Sequence, residues 1–275
     1  MTITEILTSE FLLRVVGRAL TVGILVSLCA SMLGVCLVMK RYSMIGDGLS
    51  HVGFGALAIA AVANLSPLQV AIPVVVIAAF FLLRLSEGSR LKGDAAIAVI
   101  STSALALGVT VISVGGGVNT DLNNYMFGSI YAMGKEDVRL SVILSLAVLV
   151  LFCLFYTRIF AVTFDETFAK AGGIRAELYN MLIAVLTAVT IVLGMRMMGA
   201  MLISALIIFP ALSAMRICKT FRGVVITAAV LSVVCFVVGI ILSYVFDAPG
   251  GASVVLVNLA AMLLCTGVGA VKKGK

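Results

Sequence analysis

"GVVITAAVLSVVCFVVGIILSYVF", residues 223–246, runs for 24 residues without a charged side chain. A bilayer's hydrocarbon core is about 30 Å thick, and a helix of about 20 residues crosses it. The stretch is long enough to span. It is also too long and too uniformly apolar for a barrel strand, which alternates over about 10 residues. Similar runs occur at 16–39, 45–64, 67–85, 94–114, 139–160, 178–195, 198–215 and 252–271. Lipid offers backbone amides no partner, so each run must satisfy its own hydrogen bonds as a helix. The pattern predicts an all-α membrane protein, a polytopic bundle of eight to nine transmembrane helices. The range reflects the short joint "RMM", residues 196–198. It makes 178–195 and 198–215 either two spans or one bent element.

Composition agrees. Of 275 residues, 63% are hydrophobic and 11% charged, and mean hydropathy is +1.26. Soluble domains carry about 25% charged residues. The net charge of +7 forms no patch, which argues against nucleic acid. Fourteen of the 19 lysines and arginines follow spans one, three, five, seven and nine. The positive-inside rule makes those segments cytoplasmic, with the N-terminal end outside and the C-terminal end inside. Arg14 and Arg18 run against that rule. The six cysteines form no Cys-x-x-Cys pair and read as small buried hydrophobes. "MTITEILTSEF" carries Glu5 and Glu10 but no basic start or cleavage site, so the first span is expected to do the targeting.

"GDGLSHVGFG", residues 46–55, interrupts this apolar order with the chain's one histidine. On a helix, Asp47 and His51 lie about 40° apart and one turn along, so they share a face. A carboxylate inside a span costs about 2.5–3.5 kcal/mol on insertion scales, and calls for a partner, a cavity or an ion. Gly46, Gly48, Gly53 and Gly55 would admit a second backbone or let the helix unwind. Imidazole with carboxylate suits Zn²⁺, and also Mn²⁺ or Fe²⁺. One of each is half a tetrahedral shell, and a two-fold dimer would supply the other half. The pattern equally allows a pair that cross-links helices, or one at the cytoplasmic edge, since Arg41 is six residues away.

Two connections are too long for simple turns. Residues 115–138 open with glycine and asparagine and contain "YMFGSIYAM", apolar enough to dip into protein or interface. In residues 159–177, Phe160, Phe164 and Phe168 recur every four positions and share one helix face, with Asp165, Glu166 and Lys170 off it. Gly172 and Gly173 can stop that helix. This predicts a short cytoplasmic amphipathic helix that lies on lipid or docks a partner. Pro210 removes a hydrogen bond from its span, as a hinge or as mere packing. Asp94 reads as a cap or edge residue, Arg196 as an anchor of the "RMM" joint, and the methionines as core filler. There is no His-Glu-x-x-His and no phosphate loop; "MGKED" at 133–137 has neither the glycine spacing nor the hydroxyl. The chain is expected to have no ATPase site and no enzyme activity of its own. An intramembrane Asp–His pair could also relay protons, as in a secondary proton-coupled metal transporter.

The stretch "LVMKRYSMIGDGLSHVGFGALAIAAV", residues 37–62, resembles the second-span signature of metal ABC transporter permeases. That signature is a basic pair, then a small residue with Asp, then Ser/Ala-His and a small apolar run. The likeness continues through "SRLKGDAAIAVI" (89–100), "NNYMFGSIYAM" (123–133), "FDETFAKAGGI" (164–174) and "GAMLISALIIFPALSAM" (199–215). It implies a single permease domain over 1–275 of the type II-like importer fold, in a multi-pass prokaryotic cell membrane. It implies a permease homodimer, two cytoplasmic ABC ATPase subunits and an extracytoplasmic solute-binding protein. Asp47 and His51 match the polar pair that meets the transported metal ion, bound transiently and with no resident cofactor. Phe164, Asp165, Glu166, Phe168, Ala171 and Gly172 match the coupling helix at about 161–174, which tips that segment from lipid to ATPase. Manganese-associated members often read Ser-His-Ala and then Leu-Pro-Gly. Here Val52 follows His51 and no proline follows, as in zinc-associated members. The resemblance therefore implies zinc ahead of manganese or iron.

Overall fold

The computed structural model describes residues 10–88, 93–115 and 134–273. In chain order the helices are α1 (Glu10–Met39), α2 (Ser43–Val62), α3 (Pro67–Gly88), α4 (Gly93–Val114), α5 (Lys135–Leu154), α6 (Tyr156–Phe164), α7 (Glu166–Ala171), α8 (Ala176–Met198), α9 (Ala200–Ile217), α10 (Phe221–Val245) and α11 (Gly250–Lys273). Among the described residues, all but α6 and α7 are long and apolar enough to cross a membrane, which makes nine. The "RMM" ambiguity resolves into two spans. Gly199 alone joins α8 to α9, at φ +84°, a value glycine reaches without strain. Gly194 lies against Ile203, so α9 folds back along α8.

Four helices end in one way. Arg41, Asn64, Gly173 and Asp247 each take a left-handed φ. The next amide then reaches back five residues: Tyr42 to the Leu37 carbonyl, Leu65 to Ala60, Ile174 to Ala169 and Ala248 to Ser243, at 2.8–3.0 Å. This Schellman arrangement satisfies carbonyls that would otherwise be orphaned at a helix end. At α1 it turns the chain within Lys40–Tyr42, three residues before α2 begins.

The middle of the bundle holds α1, α2, α8 and α9, and α3, α4, α5, α10 and α11 form the rim. Small residues bring backbones together there. A Cβ added at Gly34 would stand 2.0 Å from the Ile207 carbonyl oxygen, and one at Gly55 2.8 Å from that of Ala104. The helix α2 stays continuous through all four of its glycines. They admit neighbours and do not unwind it.

One span ends earlier than hydropathy predicts. The run 139–160 divides at Phe155 (φ −97°, ψ 11°), after which α6 begins. "LFCLFYT" stays apolar through this bend, so hydropathy has nothing to register there. Aromatic packing holds it: Phe155 on Tyr179 at 5.9 Å, and Phe221 against Tyr156 at 5.7 Å and Phe160 at 4.9 Å. The stretch "YMFGSIYAM" lies outside the described residues.

Candidate functional site

Asp47 and His51 stand one turn apart on α2, the fifth and ninth residues of that helix. Their side chains approach at 3.6 Å, Oδ2 to Nε2. Around them Gly46, Gly48, Leu49, Ser50 and Val52 are buried, whereas the Asp47 side chain is 44% exposed and that of His51 24%. The pair is therefore the open part of an otherwise enclosed stretch of helix. The Ser50 hydroxyl donates to the Asp47 carbonyl at 2.7 Å, so it is held by its own helix.

A third polar group comes from α9, which packs on α2. Ser204 Oγ lies 3.3 Å from Asp47 Oδ1 and 3.2 Å from the Ala200 carbonyl. Its one proton serves either acceptor, so the hydroxyl can turn to the carboxylate or release it. Sequence reading missed Ser204, because nothing local ties it to a residue 157 positions earlier. Among the described residues, no group of three or more His, Cys, Asp or Glu could hold a metal. Within one chain the pair offers one carboxylate and one imidazole beside a hydroxyl, a set able to strip part of a hydration shell from a divalent ion without enclosing it.

The other sequence-selected residues lie elsewhere. Pro210 sits six residues beyond Ser204 inside α9, which continues through it to Ile217. Arg196 pairs with Asp137 at 3.1 Å and ties the end of α8 to the first turn of α5.

The phenylalanine segment differs from expectation. A single helix carrying Phe160, Phe164 and Phe168 does not form. The backbone extends at Asp165 (φ −148°, ψ 100°), and its carboxylate accepts the Phe168 amide at 2.9 Å, capping α7. Capping a new helix satisfies donors that a continuous helix would have used itself, so α6 and α7 meet at an elbow. The signal was Asp165 followed by acidic Glu166 in the first turn, which the four-residue phenylalanine period obscured. Val162, Ala169 and Ala176 bury one another inside the elbow. Outside it, Phe164 is 72% exposed and Phe168 75%. Ala171 and Gly172 close α7.

Glu166 points inward from the elbow. It accepts from Lys40 Nζ at 3.2 Å and Asn180 Nδ2 at 3.0 Å on Oε2, and from Lys170 Nζ at 2.9 Å on Oε1. Burial alone raises its pKa. The hydrogen bonds from Asn180, Lys170 and Lys40, with the charge on Lys40, outweigh that and bring it from 4.5 down to about 2.

The chain as a whole is similar to known proteins. The model of the ABC 3 transport family matches residues 12–268. The manganese transport system membrane protein MntC of Halalkalibacterium halodurans is 30% identical over 240 residues, covering 87% of this chain and 82% of its own. The high-affinity zinc uptake system membrane protein ZnuB of Haemophilus influenzae is 30% identical over 249 residues, covering 90% of this chain and 94% of its own. Among solved structures, PsaBC from Streptococcus pneumoniae in complex with Fab superposes with a TM-score of 0.84 at 28% identity, covering 96% of this chain and 93% of the other. Nine spans, the ordered motifs and these matches agree: the chain belongs to the ABC 3 transport family, as a multi-pass membrane permease of the metal ABC transporter kind.

Proposed function

We propose that the protein is the permease subunit of an ATP-driven importer of divalent transition metal ions, with zinc as its substrate ahead of manganese or iron. The observation that carries this reading is the Asp47–His51 pair, 3.6 Å apart and open on a buried helix, with Ser204 beside it. Oxygen and imidazole nitrogen suit these ions. A site with few ligands also releases its ion, as conduction requires. A second copy of the chain would bring a second pair and complete the shell. Val52 after His51 supports zinc.

The exposed Phe164 and Phe168, held by the Asp165 cap, form the face that docks a cytoplasmic ATPase. Glu166 braces that face from behind, and Ala171 and Gly172 end it. Two ATPase copies, one on each permease, close on ATP and shift the paired bundles between outward and inward access. A solute-binding protein delivers the ion from outside. Pro210 lies where α9 can bend during that shift.

The experiment is metal accumulation by cells co-expressing this permease with its ATPase and binding protein. Zinc accumulation exceeding that of manganese and iron supports the reading. Manganese or iron in first place corrects the ion, and uptake that persists without the ATPase replaces the mechanism with a proton-coupled one.

A further inference from the structure

The basic pair Lys40-Arg41 plays no part in the metal path or the docking face, yet Lys40 is drawn inward. Its side chain is only 9% exposed, outside the membrane-spanning runs, where a lysine would ordinarily face water. Its ammonium bonds Glu166 Oε2 at 3.2 Å and Asn180 Oδ1, and Asn180 Nδ2 bonds the same Glu166 oxygen at 3.0 Å. Three side chains close a triangle, and each corner belongs to a different part of the fold. Glu166 is the first residue of α7, next to the Asp165 cap. Asn180 is 3% exposed in the second turn of α8. Lys40 ends α1 and lies seven residues before Asp47.

The link from Lys40 to Asp47 is stiff. Arg41 takes φ +62°, the Schellman bonds lock Lys40–Tyr42, and α2 is helical from Ser43 onward. A displacement at Lys40 is therefore passed to Asp47 and not absorbed by a loop. The elbow also packs on α8 and α1 through α6, whereas α7 itself packs mainly on α6 and only lightly on α8, so the clasp is the polar link from α7 to the end of α1.

We propose that Lys40 and Asn180 are positioning residues that carry the movement of the α6–α7 elbow to the Asp47–His51 helix. Resting on the transport function above, this clasp makes ATP-driven motion of the docking face produce a change of access at the metal pair. Lys40 touches neither the ion nor the ATPase. Its loss uncouples hydrolysis from transport without abolishing either partner's own chemistry.

The test uses the whole transporter, permease with ATPase and binding protein, in proteoliposomes, with Zn²⁺ uptake and ATP hydrolysis read from the same sample. Wild-type uptake tests the function itself, independently of the clasp. Lys40→Met is expected to co-purify with the ATPase and hydrolyse ATP, while Zn²⁺ taken up per ATP falls about tenfold, within the usual range of allosteric coupling. Lys40→Arg, which keeps the charge, is expected to recover most of that ratio. An unchanged ratio in Lys40→Met overturns the proposal, as does a parallel fall of uptake and hydrolysis. If Lys40→Met does not assemble, Asn180→Ala decides in its place. It breaks two sides of the triangle and leaves the Lys40–Glu166 ion pair, and the same fall or constancy of the ratio is read.

Discussion

The spans of α2 and α11 are nearly equal in length, 20 and 21 residues, and opposite in setting. Over an 18-residue stretch the α2 span has mean hydropathy 1.4 and is 72% buried, against 2.0 and 22% for α11. In water the more apolar helix would lie inside. In lipid, leucine and valine gain little by leaving the surface, so the rim takes them. Van der Waals packing of small residues and shared polar groups then select the centre. Glycine, alanine, Asp47 and His51 lower the hydropathy of α2, and the same residues let it sit where four helices converge. Within this pair, low hydropathy goes with the helix that holds polar groups in the centre; hydropathy alone does not sort the spans, since α1, at 2.5, is 67% buried.

The largest expected effect tests that difference directly. Asp47→Ala or His51→Ala should bring metal accumulation to background while the complex still purifies intact. Normal accumulation in either variant would leave α2 as packing only. Phe168→Asp asks whether function can also live on an exposed element: co-purification of the ATPase should be lost. Melting of the isolated permease should change by less than about 0.5 kcal/mol, as at an open surface.

The glycines sharpen the contrast at constant chemistry. Gly55→Ala puts a methyl 2.8 Å from the Ala104 carbonyl and should destabilise the detergent-solubilised protein by about 1–3 kcal/mol, the usual cost of overpacking. Gly267→Ala on α11 meets nothing within 4 Å, and should be neutral or stabilising by up to about 1 kcal/mol through helix propensity alone. Equal effects at the two sites would remove the distinction between centre and rim. Smaller still is a pH effect. The folded pKa of Glu166, about 2, lies below its ordinary 4.5, so its contribution is fully present above pH 4.5 and fades as pH falls toward 2. The melting difference between wild type and Glu166→Gln should therefore shrink below pH 4.5.

Among the described residues the spans were legible to within a few residues except at Phe155, because a bilayer demands apolar runs of one length and the turns between them are polar or glycine-rich; that 178–195 and 198–215 are two spans and not one was not legible. Asp47 and His51 were legible because a carboxylate in such a run is costly and four-residue spacing fixes a common face. Phe155 was not, since an apolar helix can bend into another apolar helix without any change in hydropathy. Asp165 was misread because phenylalanine periodicity outweighed a capping residue. Ser204 and Lys40 meet partners 126 to 157 residues away, and side-chain meetings at that separation have no local trace.

The contact between Gly34 and Ile207 has a mechanical consequence. With the Ile207 carbonyl seated against the glycine, α1 and α9 have no side-chain cushion between them at this level, and sliding one past the other there would drive backbone into backbone. Packed helices that shear do so through small adjustments of side chains. At Gly34 those are missing, which favours the two helices travelling as one rigid body. That body carries Ser204 at one level and ends at Lys40 at another. The stiff turn after Lys40 joins α2 to the same body, so relative motion has to be taken up at its outer borders.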